Sequence, residues 1–162
     1  MKLINLKEIK SQKPFNAIFS KDEKVITAIK ENMELYGFDE AFPIILWNNI
    51  IIDGHQRYEA AQKANLSEVA TISYDFDNEQ AAIKYAIHNQ RDRRNLTDIE
   101  LLRCVEILDK IKDRGGDHKS DQFKIKNLKV NYCSEPTATR TAELLGIGTN
   151  KVNDARTVLD ES

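Results

Sequence analysis

Apolar residues along this chain recur in two rhythms, and the change between them marks out the elements. Lys2-Leu3-Ile4-Asn5-Leu6 alternates polar with apolar and predicts a short strand. Residues 11–19, with Pro14 among them, read as a loop. Ser20-Lys21-Asp22-Glu23 has the spacing of a capping box, in which the Ser20 hydroxyl accepts from the Glu23 amide. A helix is expected to follow with Val25, Ile26, Ile29, Met33 and Tyr36 on one face, and with Gly37 as its stop. Residues 43–47 and 50–52 are two apolar runs separated by Asn48-Asn49. Asparagine tolerates the positive φ of a tight hairpin turn, so the pair predicts a β-hairpin.

Asp53-Gly54 ends the second of those strands. A helix is predicted over 55–64 with Tyr58, Ala61 and Ala64 inward and Asn65 as its stop, then a strand over 69–74. Asp77 or Asn78 caps a further helix through about His88, with Ala81, Ala82, Tyr85 and Ala86 inward. Residues 90–95 are polar and arginine-rich. Thr97-Asp98-Ile99-Glu100 is a second capping box, its helix running to about Lys112 and ended by Gly115-Gly116. Residues 117–134 are polar, lysine-rich and weakly patterned, and read as a loop between two modules. Residues 137–159 predict two short helices joined by a tight turn at Gly146-Ile147-Gly148. The order of elements gives an α+β fold: a small mixed-sheet domain over 1–96, then an all-α segment over 97–162.

Composition narrows the class. A hydrophobic fraction of 41% and a charged fraction of 31% are those of a folded globular chain. The apolar run 41–47 is too short to span a bilayer, and the N-terminus carries no long apolar signal core. Cys104 and Cys133 have neither disulfide nor metal spacing, so a reduced, cytoplasmic protein without membrane contact is expected. The net charge of −2 disfavours a surface coated in basic charge. Its distribution is uneven. Residues 1–80 hold 9 basic and 13 acidic residues (net −4), and residues 81–162 hold 15 basic and 13 acidic (net +2), the basic side including Arg91, Arg93 and Arg94.

Two stretches carry candidate chemistry. In Ile50-Ile51-Ile52-Asp53-Gly54-His55-Gln56-Arg57, a buried strand runs into a glycine that opens a helix. The first amides of a helix lack internal acceptors and the helix dipole favours an anion there; Gly54 admits close approach and Arg57 supplies a bidentate fork. The alternative is a plain strand-to-helix corner, with Asp53 as cap and Arg57 salt-bridged. The second stretch, 137–159, fits a helix-turn-helix: Ala142 is small where the helices cross, Gly146 turns, Ile147 buries, Thr149 caps, and Val152 and Ala155 face inward. The outer set holds Asn150, Lys151, Asn153, Asp154, Arg156 and Thr157. Asn150 and Asn153 suit adenine, and Lys151 and Arg156 suit guanine or phosphate. The alternative is a helical pair used only for packing or dimerisation.

Gly54-His55-Gln56-Arg57-Tyr58-Glu59-Ala60-Ala61, with the Pro43 strand before it, resembles the N-terminal domain of ParB-type partition proteins, in the ParB/sulfiredoxin-like superfamily. Their segment at this place is Gly–acidic–Arg–Arg–x–Arg–Ala; Gly54, Arg57, Ala60 and Ala61 match, while Gln56 and Glu59 replace two basic positions. Phe42 stands where those proteins tend to carry Gln. His88-Asn89-Gln90-Arg91-Asp92-Arg93-Arg94-Asn95-Leu96-Thr97 resembles the family's Glu-Asn-x-x-Arg-x-x-Leu box, without its carboxylate. The resemblance implies a nucleotide-phosphate site made by Gly54, His55, Gln56 and Arg57 together with Asn89, Arg91, Arg93 and Arg94. It also implies a nucleoside triphosphate, CTP or ATP, with Mg²⁺. The missing carboxylate counts against hydrolysis. Aligned on Arg57, the cysteine of sulfiredoxins falls on His55, so that reductase chemistry lacks its nucleophile. Residues 115–120 resemble a segment found between the two modules in ParB-like proteins of mobile elements.

The reading is therefore a ParB-like, nucleotide-binding DNA-binding protein of plasmid or chromosome partition or of mobile-element maintenance and regulation. Its expected partners are DNA and nucleotide, with a homodimer admitted and DNA contacts from Thr149, Asn150, Lys151, Asn153 and Arg156. The alternatives are an enzyme on the same fold (a nucleotide hydrolase, phosphotransferase or nuclease) and a helical interaction module. Partition proteins often carry a further C-terminal dimerisation domain; with the chain ending at Ser162, that domain is absent or the sequence is truncated.

Overall fold

The computed structural model of the chain describes residues 1–91, 96–114, 122–125, 128–131 and 138–161. It divides into two compact units, Met1–Asp75 and Phe76–Ser162.

In the first unit, β1 (Lys2–Asn5) leads through a 3₁₀ turn and a short helix α1 (Phe15–Ile18) to α2 (Glu23–Tyr36). The hairpin β2 (Ile44–Trp47) and β3 (Ile50–Asp53) follows, then α3 (His55–Lys63) and β4 (Glu68–Ser73). The strands form one mixed sheet of order β1-β4-β2-β3. The β1–β4 and β2–β3 pairs are antiparallel, and β2–β4 is parallel. The parallel pair needs a crossover, which β3 and α3 provide. Ile26 and Met33 of α2, Ala60 and Ala61 of α3, and Ile44, Leu46, Ile51 and Val69 of the sheet share one buried core with Leu6 and Ile9. Small Ala60 and Ala61 let α3 lie close to that core.

The hairpin turn is the predicted one: Asn48 and Asn49 have φ of 49° and 62°, which matches the strand twist. A register irregularity between Ile45 and Leu46 sets Ile45 opposite Asp53, at the C-terminal end of β3. The outer edge of β3 is capped by Lys10, whose carbonyl accepts from the Ile51 amide and whose amide donates to the Asn49 carbonyl.

Several expectations change in this unit. Residues 15–18, read as loop, are helical because Phe15 and Ile18 bury on one side of a single turn. The cap of α2 is Asp22, which accepts from the Lys24 amide at 2.9 Å, in place of a Ser20–Glu23 box. Both residues are good caps, and the one adjacent to the first helical residue takes the position. Val25 and Tyr36 are exposed. At 3.6 residues per turn they fall roughly 80° to one side of the Ile26–Met33 stripe.

The second unit begins with α4 (Glu79–Arg91), capped by Asn78, whose Oδ1 accepts from the Ala81 amide at 2.9 Å. Then come α5 (Asp98–Arg114), the hairpin β5 (Gln122–Ile125) and β6 (Leu128–Asn131), α6 (Ala138–Leu145) and α7 (Thr149–Asp160). The second capping box forms as predicted. The Glu100 amide donates to Thr97 Oγ1 at 3.3 Å, and the Thr97 amide donates to Glu100 Oε2 at 3.1 Å. Ala82, Ile83, Ala86 and Ile87 of α4, Cys104, Val105 and Leu108 of α5, Leu144 and Leu145 of α6, and Val152 and Ala155 of α7 are buried. Because α4 packs on α5 and α6, it belongs with the helices, and the division falls at 75/76 where the sequence reading drew it at 96/97. The expected loop over 117–134 contains the antiparallel β5–β6 pair, Gln122 opposite Asn131 and Ile125 opposite Leu128. Gly115, Gly116 and Cys133 lie outside the described residues. The α+β class stands.

Candidate functional site

The strand-to-helix corner of the first unit is built around Gly54, the N-cap of α3, with φ of 99°. A Cβ on this residue would lie 3.0 Å from Arg57 Nη2 and 3.3 Å from Ile44 Cγ1. The backbone conformation therefore demands glycine, and a side chain here would crowd Arg57 and Ile44. Asp53 is buried, and its Oδ1 accepts from the Gly54 amide at 2.8 Å. Arg57 reaches back over the corner: Nη2 donates to the Pro43 carbonyl at 3.2 Å and lies 3.9 Å from Asp53 Oδ2. Gln56 Nε2 donates to the Ser20 carbonyl at 3.4 Å. The alternative reading of the sequence had Asp53 as cap and Arg57 salt-bridged; in the structure the cap is Gly54, and the Asp53 carboxylate lies against the Gly54 amide and Arg57.

His55 is the first residue of α3. Its pKa is lowered to about 4 by burial, which Asp53 opposes and Lys21 reinforces, so the imidazole is neutral at pH 7. Its Nε2 is buried and has no hydrogen-bond partner among the described residues. On the outer side of α3, Glu59 pairs with Lys21 at 2.7 Å and with Lys63 at 3.3 Å, and Lys63 also reaches Glu23 at 2.9 Å. The two lysines hold the Glu59 carboxyl below its usual range.

Arg57 also faces a cleft of about 650 Å³. Its walls are Ile29, Asn32, Met33 and Tyr36 of α2 and the segment Gly37, Phe38, Asp39, Glu40 and Phe42 that leads into β2. The volume is that of a small-molecule site. Sequence reasoning missed this cleft. The signal available was three aromatic residues, Tyr36, Phe38 and Phe42, within seven positions of a helix end. Two of them, Tyr36 and Phe42, are 83% and 60% exposed, an unusual disposition for aromatic side chains.

The structure thus gathers Gly54, His55, Gln56 and Arg57 at one corner of the first unit. Asn89 and Arg91 lie on α4, in the second unit; Arg93 and Arg94 lie outside the described residues. Among the described residues no group of three or more His, Cys, Asp or Glu side chains is disposed to hold a metal ion. The corner does not fit Mg²⁺: its carboxylate, Asp53, is engaged by the Gly54 amide and faces Arg57.

In the second unit, Asn150, Lys151, Asn153, Asp154 and Thr157 are exposed on α7, away from buried Val152 and Ala155. The N-cap of α7 is Gly148, without a side-chain cap; Thr149, the expected cap, is the first helical residue. Gly146 takes φ of 66° in the turn, and Ile147 is half-buried. Arg156, expected with the exposed set, is half-buried and forms a two-point pair with Asp109 of α5.

No family model matches the chain. It is 28% identical over 110 residues to the uncharacterized protein ORF326b of Acidianus two-tailed virus, 62% of this chain and 33% of that one. It is 30% identical over 66 residues to a ParB-like protein of Sulfolobus acidocaldarius, 39% of this chain and 33% of that one. The matches thus span about a third of the length of each of these curated relatives. Among solved structures, a pNOB8-like ParB N-domain superposes with a TM-score of 0.65 at 18% identity, over 95% of this chain and 66% of that one.

The fold is that of the pNOB8-like ParB N-domain.

Two further structures with this fold are of the C-terminally truncated chromosome-partitioning protein ParB from Caulobacter crescentus. One is complexed to the centromeric parS site (TM-score 0.58, 14% identity, 98% of this chain and 72% of that one). The other is complexed with CTP-γ-S (TM-score 0.50, 15% identity, 98% and 78%). Among the described residues, no helix of this chain is long and apolar enough to cross a membrane.

Proposed function

We propose that this chain is a DNA-binding protein whose first unit binds a nucleoside triphosphate, in the manner of partition-type ParB proteins. The observation that carries the reading is the α3 corner. Gly54 is held at positive φ directly beneath Arg57, and Arg57 lines a cleft of ligand size. The fold is shared with a ParB complexed with CTP-γ-S. On this reading the phosphates meet the first amides of α3 and the Arg57 fork, and the neutral imidazole of His55 offers its buried Nε2 to a phosphate oxygen. The aromatic wall of Tyr36, Phe38 and Phe42 faces the base. Asp53 is tied to Gly54 and Arg57, which favours binding over hydrolysis.

The helices α6 and α7 act as a helix-turn-helix. The exposed Asn150, Lys151 and Asn153, near the start of α7 together with Thr149, enter the major groove. A ParB of the same fold is complexed to parS DNA, which supports this assignment. The viral relative favours maintenance or regulation of a mobile element inside the cell. A homodimer belongs to the same reading, since two copies set two recognition helices against two half-sites.

The test is fluorescence anisotropy of a labelled duplex, enriched by the chain from a random-sequence pool, titrated with the chain at 50 to 200 mM salt, with and without CTP, ATP or GTP. Saturable binding that weakens steeply with salt, and that changes with one triphosphate, is the expected result. Binding that is absent at low salt as well as high refutes the DNA-binding half.

A further inference from the structure

We propose that Arg156 is a positioning residue for DNA binding, one that sets α7 on α5 through Asp109 and does not touch the nucleic acid. This rests on the helix-turn-helix reading above and assigns Arg156 a different task within it.

Sequence alone places Arg156 among the side chains that contact guanine or phosphate. The geometry uses it otherwise. Nε donates to Asp109 Oδ2 at 2.9 Å and Nη2 to Asp109 Oδ1 at 2.7 Å, so both carboxylate oxygens and two of the guanidinium's donors are taken up. The two side chains are only 28% and 34% exposed. A two-point, partly buried Arg–carboxylate pair fixes direction as well as distance, which a single-point surface pair does not.

The positions on the two helices agree with that role. Arg156 lies one turn beyond fully buried Val152 on α7, and Asp109 lies one turn beyond fully buried Val105 on α5. Each therefore stands at the rim of its own helix's buried face. Asn150, Asn153, Asp154 and Thr157 occupy the opposite side of α7. Asn150 is six residues from Arg156, about 9 Å along the axis at about 1.5 Å per residue. A tilt of about 10° about that anchor displaces Asn150 by about 1.5 Å, against a tolerance of about 0.5 Å for a productive contact.

The two roles predict opposite signs for one variant. If Arg156 held DNA directly, Asp109→Ala would remove a competing carboxylate and strengthen binding. If Arg156 positions α7, Asp109→Ala weakens it. The experiment measures affinity of the full chain for the enriched duplex, across 50 to 200 mM salt and below every variant's melting temperature. The variants are Arg156→Ala, Arg156→Lys, Asp109→Ala and the double swap Asp109→Arg with Arg156→Asp. The expected result is that Arg156→Ala and Asp109→Ala each weaken binding by about tenfold, with the double swap recovering most of the loss. The slope of log affinity against log salt stays that of the wild type. A gain of affinity in Asp109→Ala, or a slope reduced by about 0.9 in Arg156→Ala, overturns the proposal, since the latter marks one lost phosphate contact. Melting temperatures that fall with affinity unchanged also overturn it, because the pair then only stabilises. Should Arg156→Ala fail to fold, Arg156→Lys and Asp109→Asn give the same comparison. A wild type that binds no duplex defeats the DNA-binding reading and this proposal with it. A wild type that binds without rescue by the swap defeats this proposal alone.

Discussion

His55 shows how one residue at the α3 corner records its surroundings. Its folded pKa of about 4 lies below the ordinary 6.5, because burial disfavours the imidazolium more than Asp53 favours it. The unfolded chain therefore binds a proton that the folded chain refuses between those values. The resulting stability is complete above pH 6.5 and is lost as the pH falls toward 4; it is on the order of 3 kcal/mol. Urea unfolding at pH 7 and pH 4.5 checks this. The wild type should lose more stability between the two than His55→Gln does; equal losses would show that His55 is not held neutral. The corner was half legible from the residues. Gly54 and Arg57 stood out, and an Arg57 salt bridge was one of the two readings. What did not show was that Asp53, two residues before His55, turns its carboxylate onto the Gly54 amide, at the end of the strand where Ile45 faces Asp53.

At the scale of elements, local signals were read correctly where they are strong. Thr97 stands next to the first helical residue of α5, and the reciprocal bonds with Glu100 form. Ser20 competes with Asp22, which stands next to the first helical residue and takes the position. Thr97→Ala should therefore lower stability by about 1 kcal/mol, because it also strips a partner from Glu100, a buried carboxylate. Circular dichroism during urea unfolding measures it, and an unchanged midpoint would remove the capping box from the account. The β5–β6 hairpin escaped notice for the converse reason. Phe123 and Ile125, and Leu128 and Val130, do alternate with polar residues, but the strands are four residues each and embedded in a lysine-rich stretch, where period two is a weak signal. Arg156 was read as exposed because helical periodicity gives its angle on α7 and says nothing of Asp109 on α5, with which it pairs.

For the whole molecule, order and class of elements were readable, and the grouping was not. Apolar stripes on α4 show that it is buried without showing on what, and packing against α5 and α6 moves the division to Asp75. The cleft beside Arg57 was invisible for the same reason, since it joins the end of α2 to the approach to β2. The function proposed above follows that division, with a triphosphate assigned to the first unit and DNA to α7 of the second.

Triphosphate binding by the first unit is tested by thermal unfolding of the chain with CTP, ATP or GTP, for wild type and Arg57→Ala. A ligand that binds only the native state stabilises it by about 2.7 kcal/mol at 100 times its Kd, enough to move a melting curve. The expected result is a shift with one triphosphate in the wild type and its loss in Arg57→Ala. No shift in the wild type with any of the three would contradict it.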